Sequence, residues 1–175
     1  MKRTLIISLI LLNLVGACGV ENSSSSDNTS IEKVTNSNKN FSIEDLKRIG
    51  FKQNHEYKVK DLPSAVSAYF GFIKNDLGKP EDYEIRFYST HSDAVQNGIR
   101  YADNITGEDG CIKKECSLWT ENLKQRIQMH DLGTLHPKYM NYIVYDNFIL
   151  MCPGYTESEA LIKCKIVIEK LNTKK

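Results

Sequence analysis

The sequence predicts an α+β domain: a two-layer sandwich with a mostly antiparallel sheet of three or four strands and helices packed on one face. Two observations carry this. Apolar residues at helical spacing alternate along the chain with short apolar or alternating runs, and two such runs, Tyr139 to Tyr145 and Phe148 to Cys152, flank the pair Asp146-Asn147. Asp and Asn tolerate positive φ, so the pair suits a tight turn and the runs form an antiparallel hairpin. Helices with a single apolar stripe then bury it against the sheet.

The elements follow in order. Ser42 caps a short helix that carries Ile43, Leu46 and Ile49 on one face and stops at Gly50. A short strand is expected near Tyr57. Asp61-Leu62-Pro63 reads as a cap followed by a first-turn proline, and Leu62, Ala65, Val66, Tyr69, Phe70 and Ile73 recur with helical spacing, which predicts a second helix. Tyr83 to Tyr88 alternates as a strand, with Tyr83, Ile85 and Phe87 on one side and Glu84, Arg86 and Tyr88 on the other. Thr90 or Ser92 caps a helix bearing Ala94, Val95, Gly98, Ile99, Ala102 and Ile105, which Gly107 ends. A loop runs to Cys116, and Ser117 starts a helix carrying Trp119, Leu123 and Ile127 to about His130. After the hairpin, Thr156 and Glu159 form a capping box for a last helix with Ala160, Leu161, Cys164, Val167, Ile168 and Leu171 inward. No fixed-period repeat is visible, which excludes solenoids and propellers.

A chain of 175 residues that is 41% hydrophobic and 26% charged has the composition of one modest globular domain. Lys+Arg 23 against Asp+Glu 22 leaves no basic excess to release phosphate counterions, so nucleic acid is not an expected partner.

At the N-terminus, Lys2 and Arg3 precede an apolar run from Leu5 to Val15, an export signal shorter than the about 20 residues needed to span a bilayer. The run closes in Leu14-Val15-Gly16-Ala17-Cys18, which resembles the lipobox of bacterial lipoproteins. The resemblance implies that residues 1–17 are a signal peptide, that the Cys18 thiol takes a diacylglyceryl group, and that the cysteine becomes the acylated first residue. It places the protein on a membrane of the bacterial envelope, facing away from the cytoplasm. Gly19 in place of Asp permits sorting to an outer membrane where the host has one. Each buried methylene contributes about 0.8 kcal/mol, so two or three acyl chains hold the protein stably. Residues 18–40, with Ser23 to Ser26 at their centre, read as a lipidated cysteine and flexible tether spanning roughly 25 Å. Residues 41–175 are left as the globular domain.

Setting Cys18 aside leaves Cys111, Cys116, Cys152 and Cys164, an even number that predicts two disulfides outside the cytoplasm. Of three connectivities, Cys111–Cys116 with Cys152–Cys164 is preferred: the first pair shares one loop, and the second joins a strand end to the inward face of the next helix. Free or metal-binding thiols are the alternative, although Cys111-x4-Cys116 lacks the tight hook usual for zinc. No metal site and no cofactor are expected. His55, His91, His130 and His136 are scattered. His91 beside Asp93 is a candidate base, and a solvated role near a helix cap is its simpler reading. Glu84 and Arg86 read as an exposed cross-strand charge pair, with contact to a ligand on that strand face as the less favoured alternative. Tyr139, Tyr142, Tyr145, Tyr101 and Tyr155 read mostly as core and sheet residues, and would make a peptide or glycan platform only if a sheet face were uncovered. The sequence contains no G-x-S-x-G, GxGxxG or Walker A spacing. Together these readings favour a lipid-anchored envelope module that binds or scaffolds a protein, peptide or glycan without catalysis. The alternative is a small extracytoplasmic hydrolase or thiol-redox enzyme using, for example, reduced Cys152.

Overall fold

The computed structural model describes residues 32–129 and 133–173. The expected signal peptide, Cys18, the tether as far as residue 31, and His130 lie outside these residues. The described chain runs β1 (Val34–Thr35), α1 (Ile43–Arg48), β2 (Lys52–Tyr57), β3 (Ala65–Lys74) and β4 (Pro80–Tyr88). A helical segment follows, made of α2 (His91–Asp93), a π-helical turn (Ala94–Gly98) and α3 (Ile99–Asp103). The remainder is β5 (Ile127–Met129), β6 (Leu135–Pro137), β7 (Tyr139–Tyr145), β8 (Phe148–Pro153) and α4 (Glu157–Thr173). Among the described residues no helix is long and apolar enough to cross a membrane.

Six strands form one sheet in the order β1-β7-β8-β4-β3-β2, antiparallel at every pairing except β1 with β7. β5 and β6 make a separate ribbon. The expected hairpin is β7–β8, turning at Asp146 with φ 49°. The sheet has six strands where three or four were expected, and β3 is one reason. Leu62 to Ile73 fits a helical period because β3 is apolar on both faces, so its pattern does not alternate. Aromatic and β-branched side chains at Val66, Tyr69, Phe70, Phe72 and Ile73 favour the pleated form. Gly71 marks a close backbone approach: a Cβ there would stand 2.2 Å from the Lys52 carbonyl oxygen and 2.6 Å from the Phe51 ring.

Helices lie against both faces, not one. On the first face Ile85, Phe87, Ile143, Phe148, Leu150 and Cys152 pack against Leu46 of α1 and Ala160, Cys164, Val167 and Ile168 of α4. On the second, Tyr142, Val144, Ile149 and Met151 meet Ala94 and Ala102 of the π-interrupted helical segment. β7 is buried at every position and β8 from Phe148 to Cys152, the pattern of strands covered on both sides. The caps at Thr90 and Thr156 form: Thr90 Oγ1 accepts the Asp93 amide at 3.0 Å, and Thr156 Oγ1 accepts the Glu159 amide at 3.2 Å. The helix expected from Ser117 does not form, and that stretch is a run of turns leading into β5. Its buried side chains are Trp119, Asn122 and Arg126, and Asn122 reaches across to the sheet to bond Glu84.

The fold begins earlier than residue 41. The Val144 amide donates to the Lys33 carbonyl at 2.8 Å and the Asp146 amide to the Thr35 carbonyl at 2.9 Å. Asn147 brackets Phe41, accepting its amide at 2.7 Å and donating to its carbonyl at 3.0 Å. Lys33 to Thr35, expected in the tether, are held at the sheet edge by backbone pairing, and Ser37 and Lys39 by the Asp146 carboxylate, contacts that composition does not announce.

Candidate functional site

Tyr57, Ala68, Arg86 and Ile149 are cross-strand neighbours in one row over β2, β3, β4 and β8. Ala68 is the small member, and Trp119 packs with it and Tyr57 in one buried cluster. The indole stands 5.4 Å from the Tyr57 ring, edge to face, and 5.0 Å from the Arg86 guanidinium carbon, a cation–π contact. Trp119 belongs to the loop between α3 and β5, which is tied at several points. Cys111 and Cys116 are bonded to each other with Cα atoms 5.8 Å apart. Asn104 donates to the Cys116 carbonyl at 3.0 Å and accepts the Leu118 amide at 3.0 Å. The Lys138 amide donates to the Arg126 carbonyl at 2.7 Å.

This loop seals in a charged cluster. Glu84, Arg86, Asn122 and Arg126 all have 0% exposure. Arg86 Nε donates to Glu84 Oε1 at 2.8 Å, and Nη2 approaches the same oxygen at 2.7 Å without hydrogen-bond alignment. Asn122 Nδ2 donates to both Glu84 oxygens, at 3.0 and 2.8 Å. Its Oδ1 accepts Arg126 Nη1 at 3.3 Å, so Asn122 relays between carboxylate and second guanidinium. Arg126 also donates to the Trp119 carbonyl at 3.3 Å and the Ser117 hydroxyl at 2.7 Å. Burial lowers the Arg126 pKa, and the charge of Glu84 acts against that. Burial, then the Glu84 charge, raises the Tyr57 pKa, and the same two causes hold Tyr139 well above its usual value. At the edge of the cluster Lys138 pairs with Asp82 at 2.6 Å.

Glu84 and Arg86, expected on an exposed face, are therefore interior, because the loop covers the second face of β4. Cys152 and Cys164 are bonded to each other with Cα atoms 5.7 Å apart, joining β8 to α4. His91 Nδ1 lies 2.8 Å from the Asp146 carbonyl oxygen, a contact between helix start and hairpin turn. No platform of tyrosines exists: Tyr139, Tyr142 and Tyr145 are buried in the sheet, while Tyr155 is exposed. Among the described residues no group of three or more His, Cys, Asp or Glu could hold a metal ion. Sequence reasoning missed Asn122 and Arg126. The available signal was their four-residue spacing near the single tryptophan, which the apolar pattern of Leu123 and Ile127 obscured.

Fold and site define a disulfide-bonded α+β domain with a charged cluster enclosed between sheet and loop. Disulfides persist in oxidising compartments, which points to a location outside the cytoplasm. The chain belongs to a family of unknown function, DUF6810, whose sequence model matches residues 42–173, from the α1 cap to the end of α4. No curated protein and no solved structure matches it.

Proposed function

We propose that this protein is a lipid-anchored envelope protein whose globular domain binds a ligand or partner without catalysing a reaction. The carrying observation is the enclosed Glu84–Arg86–Asn122–Arg126 cluster, a set of charges and donors fixed in geometry and removed from water. Burying ions costs several kcal/mol each, and convergent polar groups in an apolar surround are how proteins orient small charged ligands. The anchor is supported by Leu14-Val15-Gly16-Ala17-Cys18 and agrees with the oxidised state of the four domain cysteines. Burial of the tyrosines favours a small ligand over an extended peptide or glycan. A thiol-redox enzyme is disfavoured because Cys152 and Cys164 are both buried in their disulfide.

Fractionation of cells expressing the wild type and Cys18→Ser tests the anchor. The wild type partitions with membranes and is released by detergent, while the variant is soluble or keeps its leader. A Cys18→Ser protein that is processed normally and stays on the membrane overturns the reading.

A further inference from the structure

The enclosed cluster is unbalanced in charge. Among the described residues it holds two guanidinium groups, Arg86 and Arg126, against one carboxylate, Glu84, while Asp82 and Lys138 at its edge cancel each other. It is unbalanced in hydrogen bonds as well. Arg86 Nη1, Arg126 Nε and Trp119 Nε1 are buried donors without acceptors, and the buried hydroxyls of Tyr57, Tyr88 and Tyr139 also lack partners. The unpartnered buried acceptors among the described side chains are Gln125 Oε1 and the same three hydroxyl oxygens, which accept as well as donate. Buried polar groups are almost always satisfied by protein, water or ligand, and an unmatched interior cation is costlier than an unmatched hydroxyl. Among the described residues the deficit is thus one negative charge, with the guanidinium and indole donors facing no anionic acceptor beyond Glu84.

We propose that Arg86 and Arg126, with Trp119 Nε1 and the Tyr57 hydroxyl, form an internal site for one small monocarboxylate. The single excess positive charge matches a monoanion and argues against sulfate or a phosphate dianion. A carboxylate offers two oxygens to the guanidinium donors, which chloride does not. The Trp119 and Tyr57 rings supply an apolar wall for the rest of a short organic acid. This names the ligand class for the binding module proposed above and rests on that reading. The anchor is tested by fractionation alone, so either idea can fail without the other.

The test uses the full chain extracted from membranes in detergent, at pH 7 and fixed ionic strength, with sodium acetate replacing sodium chloride. Trp119 is the one tryptophan of the sequence, so its emission reports directly on the site. The expected result is a saturable change in emission and a Tm that climbs by about 3–8 °C and levels off. Arg86→Met abolishes both responses. Trp119→Phe keeps an aromatic ring and removes one donor, which weakens the acetate midpoint of the Tm series roughly tenfold. Emission and Tm that stay flat, as water-filled donors would give, overturn the proposal. So does a sulfate or chloride series that matches acetate, or a Trp119→Phe midpoint equal to the wild type.

Discussion

The carboxylate of Asp146 is fully buried at a hairpin turn because Ser37, 109 positions earlier, satisfies it twice: amide and hydroxyl both donate at 2.6 Å. Lys39 adds its amide at 3.3 Å. The β7–β8 turn therefore clasps the segment through which any N-terminal anchor would connect to the domain, beside the parallel pairing of β1 with β7.

Asp146→Ala removes an ionised acceptor from these donors and places alanine at positive φ. Hydrogen bonds to charged groups contribute about 1.5–3 kcal/mol, so a loss of about 2–3 kcal/mol is expected in urea unfolding. Hydrogen exchange at the Ser37, Val144 and Asp146 amides should accelerate more than at the β3–β4 pairing. Asp146→Asn, which tolerates the backbone conformation, should cost less.

The charge imbalance of the cluster sets an order among its variants. Glu84→Gln leaves two buried guanidinium groups without a counter-charge and should destabilise by about 3–5 kcal/mol. Arg86→Met leaves Glu84 with Asn122 and Arg126, one charge of each sign, and should cost less than Glu84→Gln. Urea midpoints at constant m-value decide the order, and the reverse order would contradict the account of the cluster.

That cluster was the least legible part of the sequence. The hairpin, α1, β4, the cap at Thr90 and α4 follow from turn chemistry, capping residues and periodicity, all local signals. Glu84 and Arg86 alternate with Tyr83, Ile85 and Phe87, which reads as a half-solvated strand. Their burial depends on a distant loop held by the Cys111–Cys116 disulfide and by Asn104, with no period to read. The hint lay in β8, whose unbroken run Phe148 to Cys152 requires cover on both faces and so implies cover for its neighbour β4 as well. In β3 the helical spacing of Leu62 to Ile73 competed with aromatic and β-branched content, and pairing with β2 and β4 decided it.

The two disulfides should differ in reach. Cys152–Cys164, with a sequence separation of 12, ties β8 to α4 inside the main core, and the chain-entropy estimate for such a loop is about 3 kcal/mol. Replacing both cysteines by alanine should lower the global Tm. Cys111–Cys116, with a separation of 5, closes a smaller loop worth about 2 kcal/mol. Its loss should loosen the Trp119 surroundings first, seen as a red shift in emission below the global transition.

Alkaline titration offers a check on the interior tyrosines. Burial raises the pKa of Tyr57, Tyr83, Tyr139 and Tyr142, and pushes Tyr88 up to about 12. A raised pKa in the folded state means more protons bound than when unfolded. The stability linked to these groups is thus whole below pH about 10 and falls as pH rises through the folded values. Phenolate absorbance from these five should appear late and cooperatively, coincident with unfolding. Titration of these five ahead of unfolding would contradict the burial.

The most direct measurement for the central claim, a folded domain held on an envelope membrane through one cysteine, is mass spectrometry of the protein extracted from membranes. The account predicts a mature N-terminal peptide beginning at Cys18 and carrying a diacylglyceryl group, with two disulfides in the remainder. An unmodified N-terminal peptide, or a chain that still begins at Met1, would contradict it.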